Sequence, residues 1–402
     1  MNILQIFNKV PYPAKDGGSI AVTNLSESFA KSGNNVDLLC LNTNKHYVNT
    51  KNIIPELHKN ITLYTVNINT DIKITALLKN LIFSNRPYIA ERFTSETFKS
   101  ELINLLQKNK YDIIQIEGLY MMPYIKTVRN FTKTTVSFRA HNIEHEIWQL
   151  NLKQEKNFLK KIYIRNLTQR LIKFELSFIN KYDVIIPITQ RDGNIFNNSG
   201  NKKPMHISPT GIDTKKYNTG KQDFSEIKLF HLGSLDWIPN IEGLNWFLKN
   251  VWKKIILQHP ALTFTVAGRN APKNFIRQIS KYKNVIYKGE IENAVEFMHK
   301  HNVMVVPLFS GSGMRIKIIE GMACGNVIIS TPKGAEGIPA ETNREIFITG
   351  KPEEIIKHIS CLISDKNKAE QISFAAKQFI SVNFDNFAIS NKLLNFYKKY
   401  IN

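Results

Sequence analysis

VMVVPLFSGSGMRIKIIEGMACGNVIISTPKGAEGI, residues 303–338, runs from a β-branched stretch through a glycine-broken loop into an apolar-periodic segment and then a second β-branched stretch. Strands are expected over 303–307 and 327–330 with a helix over 314–323 between them, which is one parallel βα unit. Glycines at such a turn let backbone N–H groups approach a ligand, and the start of a helix carries partial positive charge that favours phosphate. Gly311 and Gly313 lie in the loop, and Arg315 and Lys317 add two full charges beside it. Glu320 follows five residues after Arg315. A carboxylate there repels phosphate but accepts hydrogen bonds from vicinal hydroxyls, as acidic residues do for ribose in dinucleotide folds. Cations beside a hydroxyl-binding carboxylate describe a pocket for a nucleoside diphosphate. The competing reading, a tight turn with Glu320 on a solvated helix face, leaves that coincidence of features unexplained.

The same alternation extends outward on both sides. Strands are expected at 228–232, 262–267, 285–289 and 346–349, with helices near 241–257, 292–300, 352–364 and 366–381. An earlier series has strands at 3–7, 36–41, 61–66, 113–117, 135–139 and 184–189, with helices near 20–32, 95–108, 119–129 and 144–180. Between the two series the periodicity lapses into SPTGIDTKKYNTG, residues 208–220, rich in turn formers. Two α/β repeats of comparable length, each opening on a strand, predict twin doubly wound sheets with a boundary near residue 210. Ligands of such sheets bind beyond the carboxyl ends of the strands.

Two further segments meet that condition. VPYPAKDGGS, residues 10–19, places Gly17 and Gly18 between the first strand and its helix, where backbone amides meet phosphate or sugar. SFRAHNIEHEIW, residues 137–148, ends a strand at His141 and Asn142. His141 is positioned there to exchange a hydrogen bond with a hydroxyl or a leaving phosphate. Glu144 reads as a helix cap, and His145 as a packing or surface residue.

Composition bounds the alternatives. The chain has 402 residues, 43% of them hydrophobic, and exceeds what a single core usually organises. No uncharged apolar run approaches the roughly 18 residues of a membrane span, and the first residues lack a secretory-signal pattern, so a cytoplasmic protein is expected. Cys40, Cys324 and Cys361 are scattered, which argues against a disulfide framework or a clustered zinc site. The net charge of +21 comes mainly from lysine, since only 11 of the 54 basic residues are arginine, and this reads as a solvated Lys-rich surface rather than a phosphate-reading one. From Leu152 to Phe178 apolar residues recur at helical spacing while Lys153, Lys156, Lys160, Lys161, Arg165, Arg170 and Lys173 crowd the same stretch. Such a helix either faces a core with a Lys-rich outer side or lies peripherally on an anionic membrane.

Taken in order, DGGSIAVTNLSESFAKSGNNVDLL (16–39), FRAHNIEHEIW (138–148), PTGIDTKKY (209–217), LGSLDWIPNIEGLNWF (232–247) and GSGMRIKIIEGMACGNVIIS (311–330) resemble retaining glycosyltransferases of the GT-B fold, specifically glycosyltransferase family four. The likeness spans nearly the whole chain, and the last motif is the most specific. It implies two Rossmann-like domains facing across a cleft: an acceptor-side domain at 1–210, with a last helix at 385–402 crossing back to it, and a nucleotide-sugar domain at 211–384. It further implies hexosyl transfer from a nucleotide diphosphate sugar to a glycan or polyprenyl-linked acceptor in cell-surface polysaccharide biosynthesis. No metal or other cofactor is expected, because cationic side chains and helix dipoles stabilise the departing diphosphate.

By the same resemblance Glu320 matches the glutamate that holds the donor ribose, Gly18 the loop glycine near the donor phosphates, and His141 the histidine beside the transferred sugar. Gly313 and Arg315 fall where family members surround sugar and phosphate with backbone amides. Two positions depart from the family pattern. Ser312 stands eight residues before Glu320, where many members carry a second glutamate, so recognition of sugar hydroxyls by that carboxylate is not expected here. Ser234 stands where members commonly place an arginine after the first strand of the second domain, and LDWIPN supplies no lysine, so Arg315 and Lys317 are expected to carry the phosphate charge. Two rival readings remain at this point. A nucleotide-sugar 2-epimerase of the same fold would bind the donor without an acceptor. A nucleic-acid-binding protein would concentrate its cations with stacking aromatics, whereas here they spread over both halves, so no nucleic-acid partner is expected.

Overall fold

The computed structural model describes residues 1–14, 16–54, 57–217, 220–311 and 313–401; Ser312 lies outside them. The chain forms two compact units, Met1–Gly211 with Asn386–Asn402, and Ile212–Asp385.

The first unit is a six-stranded parallel sheet of β1 (Asn2–Phe7), β2 (Asn35–Thr43), β3 (Ile61–Ile68), β4 (Ile113–Glu117), β5 (Thr135–Ala140) and β6 (Val184–Pro187), in the order β3-β2-β1-β4-β5-β6. Its helices are α1 (Gly17–Lys31), α2 (Ile74–Phe83), α3 (Tyr88–Glu91), α4 (Glu96–Lys108), α5 (Ile125–Phe131), α6 (Glu144–Gln154), α7 (Phe158–Leu176) and α8 (Gln190–Asn198). β4 and β5 are buried along their whole length, as strands covered by helices on both faces must be, and they enclose the polar residues Gln115, Glu117, Ser137 and Arg139 among apolar ones.

The second unit repeats the plan with β7 (Lys228–Leu232), β8 (Thr263–Ala267), β9 (Val285–Gly289), β10 (Val303–Val306), β11 (Val327–Ser330) and β12 (Phe347–Ile348), all parallel, in the order β12-β11-β10-β7-β8-β9. Around it pack α9 (Thr214–Tyr217), α10 (Ile238–Phe247), α11 (Lys253–Gln258), α12 (Lys273–Ile279), α13 (Ala294–His299), α14 (Ile316–Ala323), α15 (Pro352–Ser364) and α16 (Lys366–Asn383). The last helix, α17 (Asn386–Tyr397), belongs to the first unit, where Leu393, Leu394 and Tyr397 join the core of Ile3, Phe29 and Ile113. Each sheet reverses its strand order once, between β1 and β4 and between β7 and β10, and ligands of open α/β sheets bind at that reversal.

Several expected elements change. The helix foreseen over 144–180 is two helices, because the backbone is extended from Glu155 to Asn157 and the Asn157 side chain caps α7 by accepting from the Lys160 N–H. The helix foreseen over 119–129 begins as a 3₁₀ segment, Leu119–Tyr124, containing Pro123, whose missing N–H cannot serve an α-helical ladder. The 241–257 helix is α10 and α11 joined through a π-turn, Leu248–Trp252. The helix expected from residue 314 starts at Ile316, which leaves Arg315 at the cap position instead of in the first turn. Helices α2, α3, α8, α9 and α12 were not foreseen. No described helix is long and apolar enough to cross a membrane.

Candidate functional site

At the reversal of the first sheet, β1 leads into the loop that starts α1. Asp16 caps this helix, accepting from the Ser19 N–H at 3.1 Å, while Lys9 binds both Asp16 oxygens at 2.6 Å. Gly17 and Gly18 open the helix, so their N–H groups belong to the first turn, which has no intrahelical acceptor. A Cβ on Gly18 would stand 3.9 Å from His141 Nδ1 and 3.8 Å from the Phe7 ring. The structure therefore brings Gly18 and His141 together, while Gly17 stays apart, with nothing within 4 Å of where its Cβ would be; Gly18 joins the Phe7 and His141 rings, which stack at 5.9 Å. They line a cavity of about 370 Å³ with Glu117, Asn142 and Glu144.

Beneath His141 is a carboxylate that the sequence reading missed. Glu117, the last residue of β4, is buried and receives the Nε2–H of His141 at 2.5 Å. Gln5 donates to its other oxygen at 3.0 Å, Gln115 donates to the same oxygen, and the Arg139 guanidinium lies 3.6 Å away. Burial alone would raise the Glu117 carboxyl; Arg139, His141 and Gln115 instead hold it below the usual carboxylate range. An ionised carboxylate only accepts, so the shared proton sits on Nε2 of His141 and the Nδ1 edge is left toward Gly18. The available signal was a charged residue at the end of IIQIE and another inside TVSFRA, two segments expected to be buried strands, where a charge needs a partner.

Glu144 does not cap α6. Glu175 from α7 does, accepting from the Glu144 and His145 N–H groups at 3.1 Å each and from His145 Nδ1 at 2.6 Å. The Glu144 side chain instead receives the Tyr120 hydroxyl at 2.9 Å, and burial next to Glu175 pushes its carboxyl up to about 7.

At the reversal of the second sheet, Gly311 and Gly313 take positive φ values of 102° and 78°, a region open to glycine at little cost. A Cβ on Gly311 would strike the Trp237 ring at 2.6 Å, because that indole packs against the loop and carries the Arg315 guanidinium over its face at 5.2 Å. Arg315 also donates to the Gly313 carbonyl and is only 6% exposed; burial lowers it to about 10. Lys317 reaches from α14 to the start of α10 and the end of β7, where its Nζ donates to Asn240 Oδ1 at 2.9 Å and lies 3.3 Å from His231 Nε2. It stands 2.8 Å from where a Cβ on Gly233 would be. His231 is tied to the Val305 carbonyl at 2.8 Å, and burial keeps it neutral, far below its ordinary value. Burial, and then the charge of Arg315, lowers Lys317 to about 7.

Glu320 lies nearly one turn beyond Lys317 and receives the Tyr217 hydroxyl at 2.8 Å. Burial raises its carboxyl, and Tyr217 partly offsets this. Tyr217, Trp237, His231 and Asn240 were missed, since nothing in their local sequence points to α14. A cation does reach the Ser234 loop, from outside LDWIPN: Arg269, just beyond β8, donates to Ser234 Oγ at 3.1 Å. Among the described residues no group of three or more His, Cys, Asp or Glu side chains could hold a metal ion.

Comparisons with known proteins cover both units. A model described as Glycosyltransferase Family 4 matches residues 15–216, and one described as Glycosyl transferases group 1 matches residues 226–365. A 44.6 kDa protein in the cps region of Klebsiella pneumoniae is 24% identical over 402 residues, covering 95% of this chain and 96% of its own. Among solved structures, Alr3699/HepE of Anabaena, determined in complex with UDP, is similar with a TM-score of 0.68 at 14% identity, covering 99% of this chain and 100% of that one. It has also been determined with UDP-glucose. TarM of S. aureus is similar with a TM-score of 0.70 at 12% identity, covering 98% of each chain. The family match runs over half the sequence and the twin sheets have solved counterparts along their full length, so the chain belongs to glycosyltransferase family 4 and is a glycosyltransferase of GT-B fold.

Proposed function

We propose that the protein transfers a hexose from a nucleoside diphosphate sugar to a glycan or polyprenyl-linked acceptor, with retention of anomeric configuration, in the assembly of a cell-surface polysaccharide. The observation that carries this reading is the Lys317 ammonium, held by Asn240 beside Gly233, with Arg315 at the start of α14. Two cations and a glycine loop at the reversal of a doubly wound sheet suit a diphosphate. The solved relatives bound to UDP and UDP-glucose support a donor of that class, and the cps-region relative supports the polysaccharide role.

In this reading the second unit holds the nucleotide. Glu320 accepts from the ribose hydroxyls through Oε2, since Tyr217 takes Oε1. Arg315, Lys317 and the Gly313 backbone take the diphosphate, and neutralising it as it departs is an electrostatic contribution that needs no metal. Gly17 and Gly18 offer N–H groups to donor phosphate, and His141, oriented by Glu117, stands beside the transferred sugar. The acceptor belongs to the cavity of the first unit.

Calorimetric titration with nucleoside diphosphates and their sugars, followed by transfer assays, tests the assignment. Glu320→Ala should weaken nucleotide binding about tenfold or more, the scale of one lost charge-assisted hydrogen bond. His141→Ala should lower turnover while donor binding persists. Undiminished transfer by both variants would overturn the reading, and conversion of donor alone into an isomer would assign the protein to the 2-epimerases.

A further inference from the structure

The first unit carries a surface that neither the donor pocket nor the acceptor cavity uses. Leu159, Ile162, Asn166, Arg170, Lys173 and Ser177 recur every three or four residues and so share one face of α7. Leu167, Leu171 and Phe174 are buried. The open end of this face is apolar: Phe158 is 73% exposed and Leu159 76%. The end of α2 adjoins the same face, since Arg170 donates to the carbonyls of Asn80, Leu81 and Ser84 at 2.7 to 3.2 Å. There Ile82 and Phe83 are 71% and 80% exposed. Two pairs of large apolar side chains, one at the start of α7 and one at the end of α2 beside Arg170, are all more than two-thirds exposed, and a soluble surface rarely maintains so many along one face.

The rest of the face is a broad groove of about 1030 Å³ floored by Ile125, Phe174 and Phe178. Arg86, Lys126, Lys173 and Lys181 line it, form no salt bridge among the described residues, and share it with no carboxylate. The two remaining cations of the groove are already engaged: Arg129 pairs with Asp183 at 2.7 Å, and Arg170 holds the α2 carbonyls.

We infer that this face of α2, α5 and α7 docks on an anionic phospholipid bilayer, with Ile82, Phe83, Phe158 and Leu159 entering the acyl boundary and Arg86, Lys126, Lys173 and Lys181 meeting lipid phosphates. Exposed apolar tips beside unpaired cations are what an interfacial segment needs, since binding there adds buried apolar area to attraction for negative headgroups. A soluble polyanion would use the cations but leaves the apolar tips without a role. The inference does not rest on the proposed reaction.

Sedimentation of the full chain with vesicles tests it. At physiological salt the protein should partition to mixed phosphatidylcholine–phosphatidylglycerol vesicles about tenfold or more in preference to phosphatidylcholine alone. An Ile82→Asp/Phe83→Asp/Phe158→Asp variant and a Lys126→Glu/Lys173→Glu variant should each lose this partition about tenfold or more, with unchanged melting temperature and donor affinity, because every altered side chain is exposed. Failure of the wild-type chain to bind anionic vesicles overturns the proposal. So does full vesicle binding by the apolar variant together with displacement by soluble polygalacturonate, which would make the groove a polyanion site. Donor titration on the same samples keeps this outcome separate from the fate of the proposed reaction.

Discussion

Glu117 places a negative charge inside the first sheet, and Gln5, Gln115, Arg139 and His141 satisfy it from three different strands and the loop after β5. The arrangement fixes the imidazole ring and its proton, and under the proposed function Glu117 would act through His141 as a positioning residue. Glu117→Gln keeps the shape but removes the charge facing Arg139. Turnover should fall about tenfold or more while donor affinity changes little, and chemical denaturation should show a loss of about 3 kcal/mol. A parallel fall in donor affinity would contradict the positioning role. Lys317 leads to a pH prediction. Its value near 7 leaves the amine half-neutral at neutral pH, and a bound diphosphate would raise it. Binding then takes up a proton above pH 7, and affinity should fall there by as much as about tenfold per pH unit until the raised value is reached. Below pH 7 this residue adds no pH dependence. Lys317→Met should bind more weakly and lose that slope, which titration at several pH values would reveal.

At the scale of elements, helix starts and stops matter more than helix content. α10 runs so close to the end of β10 that a Cβ on Gly243 would meet the Pro307 carbonyl oxygen at 2.1 Å. The contact sets the height of α10 and hence of Asn240, which holds Lys317. Gly243→Ala must push the helix away, so about 1–3 kcal/mol of stability should be lost in denaturant unfolding and nucleotide affinity should fall with it. Gly18 behaves oppositely. Its nearest neighbour to a new Cβ is Asp16 Oδ1 at 3.5 Å, an ordinary contact. Gly18→Ala should therefore leave the melting temperature within a few degrees and reduce transfer by crowding the space before His141. The helix expected over 144–180 misled because apolar residues continue at helical spacing across the break, while the stop depends on one asparagine cap and the burial it leads to. From Phe158 to Ile162 that spacing faces solvent, and from Leu167 onward it faces the core.

For the molecule as a whole, the C-terminal helix is structural in the first unit: the Tyr397 hydroxyl donates to Gln115 Oε1 at 2.5 Å and lies 2.8 Å from Ser137 Oγ. Tyr397→Phe leaves these buried groups short of a partner and should cost about 1–3 kcal/mol, with the loss confined to the first unit's unfolding transition if the two units unfold separately. Parallel strands buried on both faces are rich in β-branched and apolar residues, and a strand-to-helix turn at their ends is marked by glycine. For that reason the α/β class, the pair of sheets and the GSGMRIK loop were legible from composition and order alone. The partners of the site were not, because Glu117 meets His141 across 24 residues, Tyr217 meets Glu320 across 103, and Lys317 meets Asn240 across 77. Periodicity encodes which face of an element is buried. Only the strand order of the folded sheet decides which distant loops become neighbours, and it is that order which turned separate motifs into two polar clusters at the reversals of two sheets.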